Sequence, residues 1–271
     1  MPELPEVETT RRGLEPLVVG KSIEALDVRE PRLRWPIAAD LGRRLAGRRV
    51  TGIGRRGKYL LFATDGGTLL VHLGMSGGLR FHDGAAPPPG RHDHVDIRLA
   101  GGACLRYNDP RRFGSMHFAT APERHPLLRH IGPEPLGDDF TPEYLWRSTR
   151  GRKTAIKLHL MNSRIVAGIG NIYANEALYR AGIHPARQAG RVARSRFDPL
   201  VDSIRAVLAD AIVQGGTTLR DFAGSDGRPG YFQLALDVYD REGDACHRCG
   251  SPVRMRVLGQ RATYYCSACQ R

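Results

Sequence analysis

The sequence predicts an α+β multidomain fold, in which a β-sandwich with an N-terminal helix precedes a helical domain and a C-terminal hairpin. Short apolar segments with β-branched residues fill residues 21–117 and are separated by glycine turns. The pattern after Gly132 becomes helical, and four of the five cysteines stand near the C-terminus. We expect domains at residues 1–133, 134–236 and 237–271.

The first predicted element is a helix with a marked beginning and end. Pro5 suits a first helical position, and Gly20 suits the residue after the last turn. Between them lies a loose apolar stripe, formed by Val7, Leu14, Leu17 and Val18. Pro2 and Glu3 therefore stand just outside a helix N-terminus.

Strand-like segments follow this helix. Six of them are short and rich in apolar and β-branched residues: residues 21–30, 48–53, 58–64, 68–75, 94–100 and 103–108. Such spacing is typical of an antiparallel sandwich or barrel. The proline-rich insert from Asp83 to Arg91 is expected to form a surface loop, because proline removes donors from a strand ladder.

The region after Pro133 is expected to be mainly helical. The pattern predicts four helices: residues 142–148, a helix that ends near Ser163, Asn171 to Ala181, and residues 198–214. The last of these has one apolar face. The long segment 215–230, rich in glycine and polar residues, is expected to be a functional loop.

The charge balance points to a polyanionic partner. The chain has 41 lysines and arginines against 28 acids, a net charge of +13 and a pI near 10.1. Such a chain attracts nucleic acid, because each neutralised phosphate releases a counterion. A generic basic surface is the alternative. The sequence has no membrane-length apolar run and no signal-peptide pattern, so we expect a soluble, intracellular protein.

The C-terminal cysteines form a metal-site pattern. Cys246 and Cys249, followed by Cys266 and Cys269, are two C-x-x-C pairs separated by sixteen residues. Four thiolates from two tight turns suit one structural, tetrahedral zinc ion. His247 lies inside a set that is already complete, and a redox role for the pairs is the alternative.

Three arginines lie between the cysteine pairs: Arg254, Arg256 and Arg261. A basic hairpin between zinc knuckles suits phosphate binding, and a solvated basic tail is the alternative. The fifth cysteine, Cys104, stands in a strand-like stretch and is expected to be a buried apolar side chain.

The N-terminus offers a candidate nucleophile. Met1 stands before a small residue, so its removal would expose Pro2 as a secondary amine next to Glu3. Such an amine attacks an aldehyde-level carbon to give an iminium ion. The usual pKa of an α-amino group, about 7.7–8.0, leaves a workable neutral fraction at pH 7. An inert N-terminus is the alternative that these residues leave open.

Ten motifs, together with the cysteine pairs, resemble those of bacterial formamidopyrimidine-DNA glycosylases. They follow the family's order from Met1 to Arg271: MPELPEVETTRRGL, GRRGKYLL, HLGMSGGLR, HDHVD, YNDPRRFGS, GPEPL, TAIK, GIGNIYANEALYRAGIHP, GGTTLRDFAGSDGRPGYF and QRATYYCSACQ. The resemblance implies a helix-two-turn-helix element, a zinc-finger hairpin and a monomeric bacterial enzyme of the cytoplasm, associated with the nucleoid.

By that resemblance, the enzyme excises 8-oxoguanine and formamidopyrimidines from duplex DNA and then cleaves the strand by β,δ-elimination as an AP lyase. Pro2 is implied as the nucleophile, Glu3 as the acid/base residue and Glu6 as a second carboxylate that holds the site. Without the resemblance, Glu6 is an ordinary acid of a first helical turn. Lys58 is implied to assist β-elimination, and Arg261 to bind a phosphate and take part in δ-elimination.

Chemistry on a paired base requires its extrusion from the duplex. The resemblance implies three side chains that fill the gap: Met75, Arg111 and Phe113. It also implies that Arg111 hydrogen-bonds the orphaned cytosine. From the residues alone, core packing is the alternative for Met75 and Phe113.

Phosphate contacts, which position an enzyme without reading sequence, are implied for a further set of residues. They are His92, Arg111, Arg152, Asn171 and Arg261. Asn171 is also interpreted as a plain helix N-cap, a role that is compatible with phosphate binding. The segment Thr217–Tyr231 resembles the family's flexible loop that caps the lesion.

Two other functions are weighed against this one. Endonuclease VIII has the same fold and chemistry for oxidised pyrimidines, but that branch typically opens PEGPE, whereas this chain opens PELPE and keeps DPRRFG. A non-catalytic zinc DNA-binding protein would need the charge, the zinc knuckles and the helix pair. It would not need Pro2, Glu3 and Lys58 together.

Overall fold

The computed structural model describes residues 2–215 and 236–271, which fall into two compact units. The first unit is built mainly from residues 2–129, and the second from His130–Val213 together with residues 236–271. The expected capping loop Thr217–Tyr231 lies outside the described residues. The three predicted domain bounds stay predictions.

Helix α1 (Leu4–Val18) opens the first unit, with Pro5 in its first turn. Three of the four predicted stripe residues are buried, but Leu17 is 37% exposed, so its assignment to the stripe was wrong. Leu17 points away because the buried face is defined by Val7, Leu14 and Val18, which lie at helical spacing. Gly20, at φ 87°, ends the turn in a conformation that favours glycine.

Eight strands make two antiparallel sheets of four. The strands are β1 (Ile23–Val28), β2 (Val50–Arg56), β3 (Tyr59–Thr64), β4 (Gly67–His72), β5 (Gly78–His82), β6 (Asp93–Leu99), β7 (Cys104–Asn108) and β8 (Ser115–Ala119). One sheet has the order β1-β6-β7-β5 and the other β2-β3-β4-β8. All six predicted segments contain a strand, which confirms the sandwich. Strands β5 and β8 and the short helix α2 (Leu41–Leu45) were not predicted.

The two sheets and α1 share one core. Leu14 of α1, Leu60 and Val71 of one sheet, and Val95 and Tyr107 of the other are all fully buried in it. Strand β3 alternates buried and half-buried positions, whereas four consecutive residues are buried in each of β4, β6 and β7. The insert from Asp83 to Arg91 forms the expected loop between β5 and β6.

The second unit is helical and ends in a hairpin. Its elements are α3 (Pro142–Thr149), α4 (Ile156–Leu160), α5 (Asn171–Arg180), α6 (Phe197–Val213), β9 (Arg254–Leu258) and β10 (Arg261–Tyr265). Helix α4 ends three residues before the predicted end near Ser163, because the N–H of Asn162 turns back to the carbonyl of His159 at 3.2 Å in a tighter turn. In the described part of the chain, no helix is both long and apolar enough to cross a membrane.

The shared core predicts a matched pair of substitutions in α1. Leu14→Ala should lower the free energy of unfolding by about 3 kcal/mol, because it leaves a cavity at a fully buried position. Leu17→Ala, in the same helix, should cost less than about 1 kcal/mol because Leu17 is partly exposed. Urea denaturation measures both. Equal losses in the two variants would contradict this packing of α1.

Candidate active site and metal centre

The candidate nucleophile stands at the buried beginning of α1. Pro2 and Glu3 are buried, and Glu6 is fully buried one turn along the helix. The Glu6 carboxylate accepts the backbone N–H of Glu3 at 2.8 Å. This contact is half of a capping box, and it fixes the backbone directly after Pro2. The structure therefore brings together the predicted nucleophile and both predicted carboxylates.

Lys58 occupies the turn between β2 and β3. The hairpin that carries this turn is bound to α1, because Arg55 pairs with Glu8 at 3.1 Å and Arg11 donates to the Ile53 carbonyl at 3.2 Å. The N-terminus of α1 and the Lys58 turn thus belong to one packed assembly.

His72 is a site residue that the sequence did not reveal. Burial, together with the positive charges of Lys58 and Arg34, lowers its pKa to about 4. Its Nδ1 accepts the N–H of Gly74 at 3.0 Å, so the neutral ring carries its proton on Nε2. His72 therefore holds the beginning of the loop that contains Met75, and its ring lies within reach of the charge of Lys58.

Met75 and Phe113 lie on two touching loops, residues 73–77 and 109–114. A Cβ atom on Gly74 would lie 2.4 Å from the backbone nitrogen of Gly114, so only glycine allows this approach. Phe113 is 42% exposed, and the Arg111 guanidinium lies 4.9 Å from its ring centroid. An exposed aromatic ring is not core packing, so that alternative fails for Phe113.

Asp109 ties these two loops together. It is fully buried, and its carboxylate accepts the Ser76 hydroxyl at 2.9 Å, the Tyr107 hydroxyl at 3.0 Å and the Gly114 N–H at 2.9 Å. Ser76 in turn accepts the N–H of Arg111 at 3.3 Å. The sequence analysis missed Asp109, although an aspartate before proline in a loop is a signal for such a turn.

His92 is anchored to the same loop. Its carbonyl accepts the N–H of Asp109 at 3.0 Å, while the carbonyl of Asp109 contacts Nε2 of His94 at 2.8 Å. The His92 side chain is partly exposed. The structure thus places His92 beside the loop that carries Arg111 and Phe113.

In the second unit, Asn171 contacts the strand that begins with Arg261. Asn171 donates from Nδ2 to the carbonyl of Ala262 at 3.0 Å. The fully buried Lys157, which the sequence analysis did not single out, donates to the same carbonyl at 2.8 Å. Gly170 is the N-cap of α5, so the interpretation of Asn171 as the N-cap was wrong. Among the described residues, the buried Oδ1 of Asn171 has no hydrogen-bond partner.

The four C-terminal cysteines form one compact group. Their Sγ atoms all lie within 4.8 Å of one another, with 3.9 Å between Cys246 and Cys269 and 3.5 Å between Cys249 and Cys266. Zn–S bonds of about 2.3 Å in a tetrahedron require sulfur atoms about 3.8 Å apart, so the group fits zinc. His247 instead contacts Asp237 at 3.2 Å.

Hydrogen bonds from neighbouring residues hold the cysteine group in place. The Tyr179 hydroxyl lies 3.2 Å from Cys246 Sγ, and the Cys266 N–H donates to Gln270 at 2.9 Å. Cys104 is a separate, buried thiol, as predicted. Burial, together with the nearby charge of Asp96, raises its pKa to about 11, so it stays protonated.

The Asp109 contacts predict that removal of its carboxylate greatly lowers the free energy of unfolding. Asp109→Ala should lower the free energy of unfolding by about 3 kcal/mol, because two hydroxyls and one N–H lose their buried acceptor. Asp83→Ala, at an exposed position in the β5–β6 loop, is the matched control and should change it by less than about 0.5 kcal/mol. Similar unfolding curves for the two variants would refute the role of Asp109.

The cysteine geometry predicts one tightly held zinc ion per chain. Cys266→Ser should lose the metal and lower the melting temperature, since a small hairpin depends on its metal for folding energy. Cys104→Ala should keep one zinc ion. Atomic absorption and thermal melts measure both variants, and a Cys266→Ser protein that retains full zinc would exclude this four-cysteine site.

Three family models match the chain. The formamidopyrimidine-DNA glycosylase N-terminal domain matches residues 1–116, the H2TH domain of the same family matches 131–223, and a zinc finger found in FPG and IleRS matches 243–271. Full-length relatives include the formamidopyrimidine-DNA glycosylases of Methylococcus capsulatus, 59% identical, and Alkalilimnicola ehrlichii, 57% identical, each covered over 100% of both chains.

Solved structures agree with these matches. The MutM (FPG) protein from Thermus thermophilus is 42% identical with a TM-score of 0.89, over 99% of this chain and 98% of that one. The wild-type Lactococcus lactis Fpg (MutM), in complex with DNA that contains N7-benzyl-Fapy-dG, is 37% identical with a TM-score of 0.92, over 100% of both. With this identity over its whole length, the chain belongs to the formamidopyrimidine-DNA glycosylase family.

Proposed function

We propose that this protein is a DNA glycosylase and AP lyase that removes oxidised purines from duplex DNA. The observation that carries the proposal is the buried start of α1, where Pro2 and Glu3 precede a helix whose Glu6 carboxylate holds the Glu3 amide at 2.8 Å. A secondary amine beside an acid/base carboxylate in a buried setting is what iminium chemistry on a sugar requires.

The first step joins Pro2 to the damaged nucleotide. Once Met1 is removed, the Pro2 nitrogen attacks C1′, the C1′–base bond breaks, and the base leaves with its electron pair and takes up a proton. The nitrogen loses its own proton, and its lone pair then opens the ring as the C1′–O4′ bond breaks. Glu3 gives O4′ its proton, which leaves an iminium ion between Pro2 and C1′.

The iminium then serves as an electron sink for strand cleavage. Loss of a proton from C2′ expels the 3′ phosphate, and a second elimination expels the 5′ phosphate. Water finally hydrolyses the iminium and releases Pro2. Lys58, in the turn of the hairpin bound to α1, is proposed to contact the lesion phosphate and assist the first elimination. Arg261 is proposed to bind a phosphate and take part in the second.

Base extrusion is assigned to the two loops that Asp109 holds together. An exposed Phe113 under the Arg111 guanidinium, on the loop that touches the Met75 loop, offers apolar and cationic groups that fill the gap left by an extruded base. Arg111 is proposed to hydrogen-bond the orphaned cytosine. The carboxylate contacts of Asp109 keep these loops rigid before DNA is bound.

Phosphate contacts are assigned to exposed or polar groups of both units: His92, Arg111, Arg152, Asn171 and Arg261.

Solved structures of relatives support DNA as the ligand. Lactococcus lactis Fpg is described in complex with DNA that contains a Fapy-dG derivative and with abasic-site DNA. MutM is described in complex with DNA that contains carbocyclic 8-oxo-G. The expected place of action is the bacterial nucleoid. Zinc, held by the four cysteines, supplies folding energy to the hairpin that carries Arg261.

A lesion panel tests the function. Wild-type protein should release 8-oxoguanine and formamidopyrimidine from duplex DNA, as measured by mass spectrometry of the free base, and should release thymine glycol much more slowly. Glu3→Gln should lower strand nicking of the same lesion duplexes by about 100-fold or more, because ring opening needs the proton that Glu3 gives O4′ and a general acid contributes that much. Glu123→Gln, at an exposed position, is the matched control and should act like wild type.

The panel also separates the competing functions. Preferential release of the oxidised pyrimidine would assign the protein to the endonuclease VIII type of activity. Binding of the lesion duplexes with no release of any base would indicate a non-catalytic DNA-binding protein.

A further inference from the structure

Two neighbouring loops of the second unit carry a row of exposed cations. The loop between α3 and α4 contributes Arg150, Arg152 and Lys153, and the segment after α5 contributes Arg187 and Arg191. We call these five residues the basic ledge. Only Arg152 was singled out from the sequence.

The two loops are clamped together by their backbones. Ala189 donates to the carbonyl of Thr154 at 2.8 Å, and Gly190 donates to the carbonyl of Arg152 at 2.9 Å. A Cβ atom on Gly190 would lie 3.0 Å from that same oxygen, which shows how closely the chains approach. The cations of the basic ledge therefore form one fixed surface rather than two independent loops.

Acidic residues do not neutralise this surface. Residues 144–197 contain eleven lysines and arginines and a single acid, Glu176, which is buried and accepts three backbone N–H groups. The flanking acids Glu143 and Asp198 both pair with Arg194, at 3.1 and 2.9 Å. Throughout residues 2–215 and 236–271, no carboxylate lies within ion-pair distance of a basic-ledge cation.

One ledge side chain is already held in place. Arg150 stacks over Trp146 at 5.0 Å and donates to the Thr149 hydroxyl at 2.8 Å. Exposed arginines with a fixed position suit phosphate oxygens, because the planar guanidinium offers paired donors and loses little freedom on binding. The ledge consists of cations, so it matches the phosphates of a nucleic-acid backbone, whose charges repeat whatever the base sequence.

We propose that the basic ledge is an additional phosphate-binding surface for duplex DNA, which extends the contact beyond Arg152 along the flank of the bound duplex. The proposal rests on the proposed function for its choice of partner. Because the ledge contacts only phosphates, it strengthens binding to undamaged DNA as much as to damaged DNA. Its role is to hold the protein on DNA during the search for a lesion.

The test compares two triple variants of the full-length, zinc-loaded protein with equal loss of charge. The ledge variant is Lys153→Gln, Arg187→Gln and Arg191→Gln. The control variant is Arg43→Gln, Arg80→Gln and Arg124→Gln, at exposed positions of the first unit. Fluorescence anisotropy with an undamaged duplex of about 30 base pairs gives Kd as a function of salt concentration.

The ledge variant should bind the duplex about 10- to 100-fold more weakly at low salt. Its slope of log Kd against log salt should fall by about 2–3, because each lost phosphate contact lowers that slope by about 0.9. The control variant should keep the wild-type slope within about 0.5. Zinc content and melting temperature confirm that both variants are folded. Equal slopes in the two variants would overturn the proposal.

Base release by the wild-type protein, measured separately, distinguishes the two proposals. A reduced slope in the ledge variant with no base release by wild type would support the ledge and overturn the proposed function. Base release with an unchanged slope in the ledge variant would overturn the ledge alone.

Discussion

The burial of the first turn of α1 is the constraint on which the proposed chemistry depends. Leu4 and Val7 are fully buried in or beside the sandwich core, and between them the Glu6 carboxylate accepts the Glu3 amide. A buried carboxylate is tolerated only where donors satisfy it, so a shift of the helix would cost Glu6 the hydrogen bond from the Glu3 amide. The residue in front of Glu3 is thereby held at one position, which is what a nucleophile that must meet C1′ requires.

A second buried carboxylate does the same for the two loops of the first unit that carry Met75 and Phe113. Asp109 satisfies three donors, and through Ser76 it also reaches the amide of Arg111. Such a network makes the two loops stiff while Phe113 stays exposed at the surface. The second unit uses a lysine in a comparable way, because the buried Lys157 binds the hairpin strand that begins with Arg261.

Local patterns predicted much of this molecule. Helix α1, six strands, α3, α5, α6 and the cysteine group all follow from residue type and spacing within short windows. The positioning groups could not be found in this way, because their partners are distant in sequence: Ser76 and Asp109 are 33 residues apart, and Lys157 and Thr263 are 106 apart. Strands β5 and β8 escaped prediction because glycine and histidine interrupt their apolar pattern, and sheet pairing overrides weak local preference.

The central claim is that the amine of Pro2 forms the covalent intermediate, and borohydride trapping tests it most directly. Wild-type protein and a duplex with 8-oxoguanine opposite cytosine are mixed with borohydride, which reduces an iminium to a stable C–N bond. Peptide mass mapping should then find the DNA remnant on residue 2, after loss of Met1. An adduct on Lys58, or a nicked strand with no adduct at all, would contradict the account.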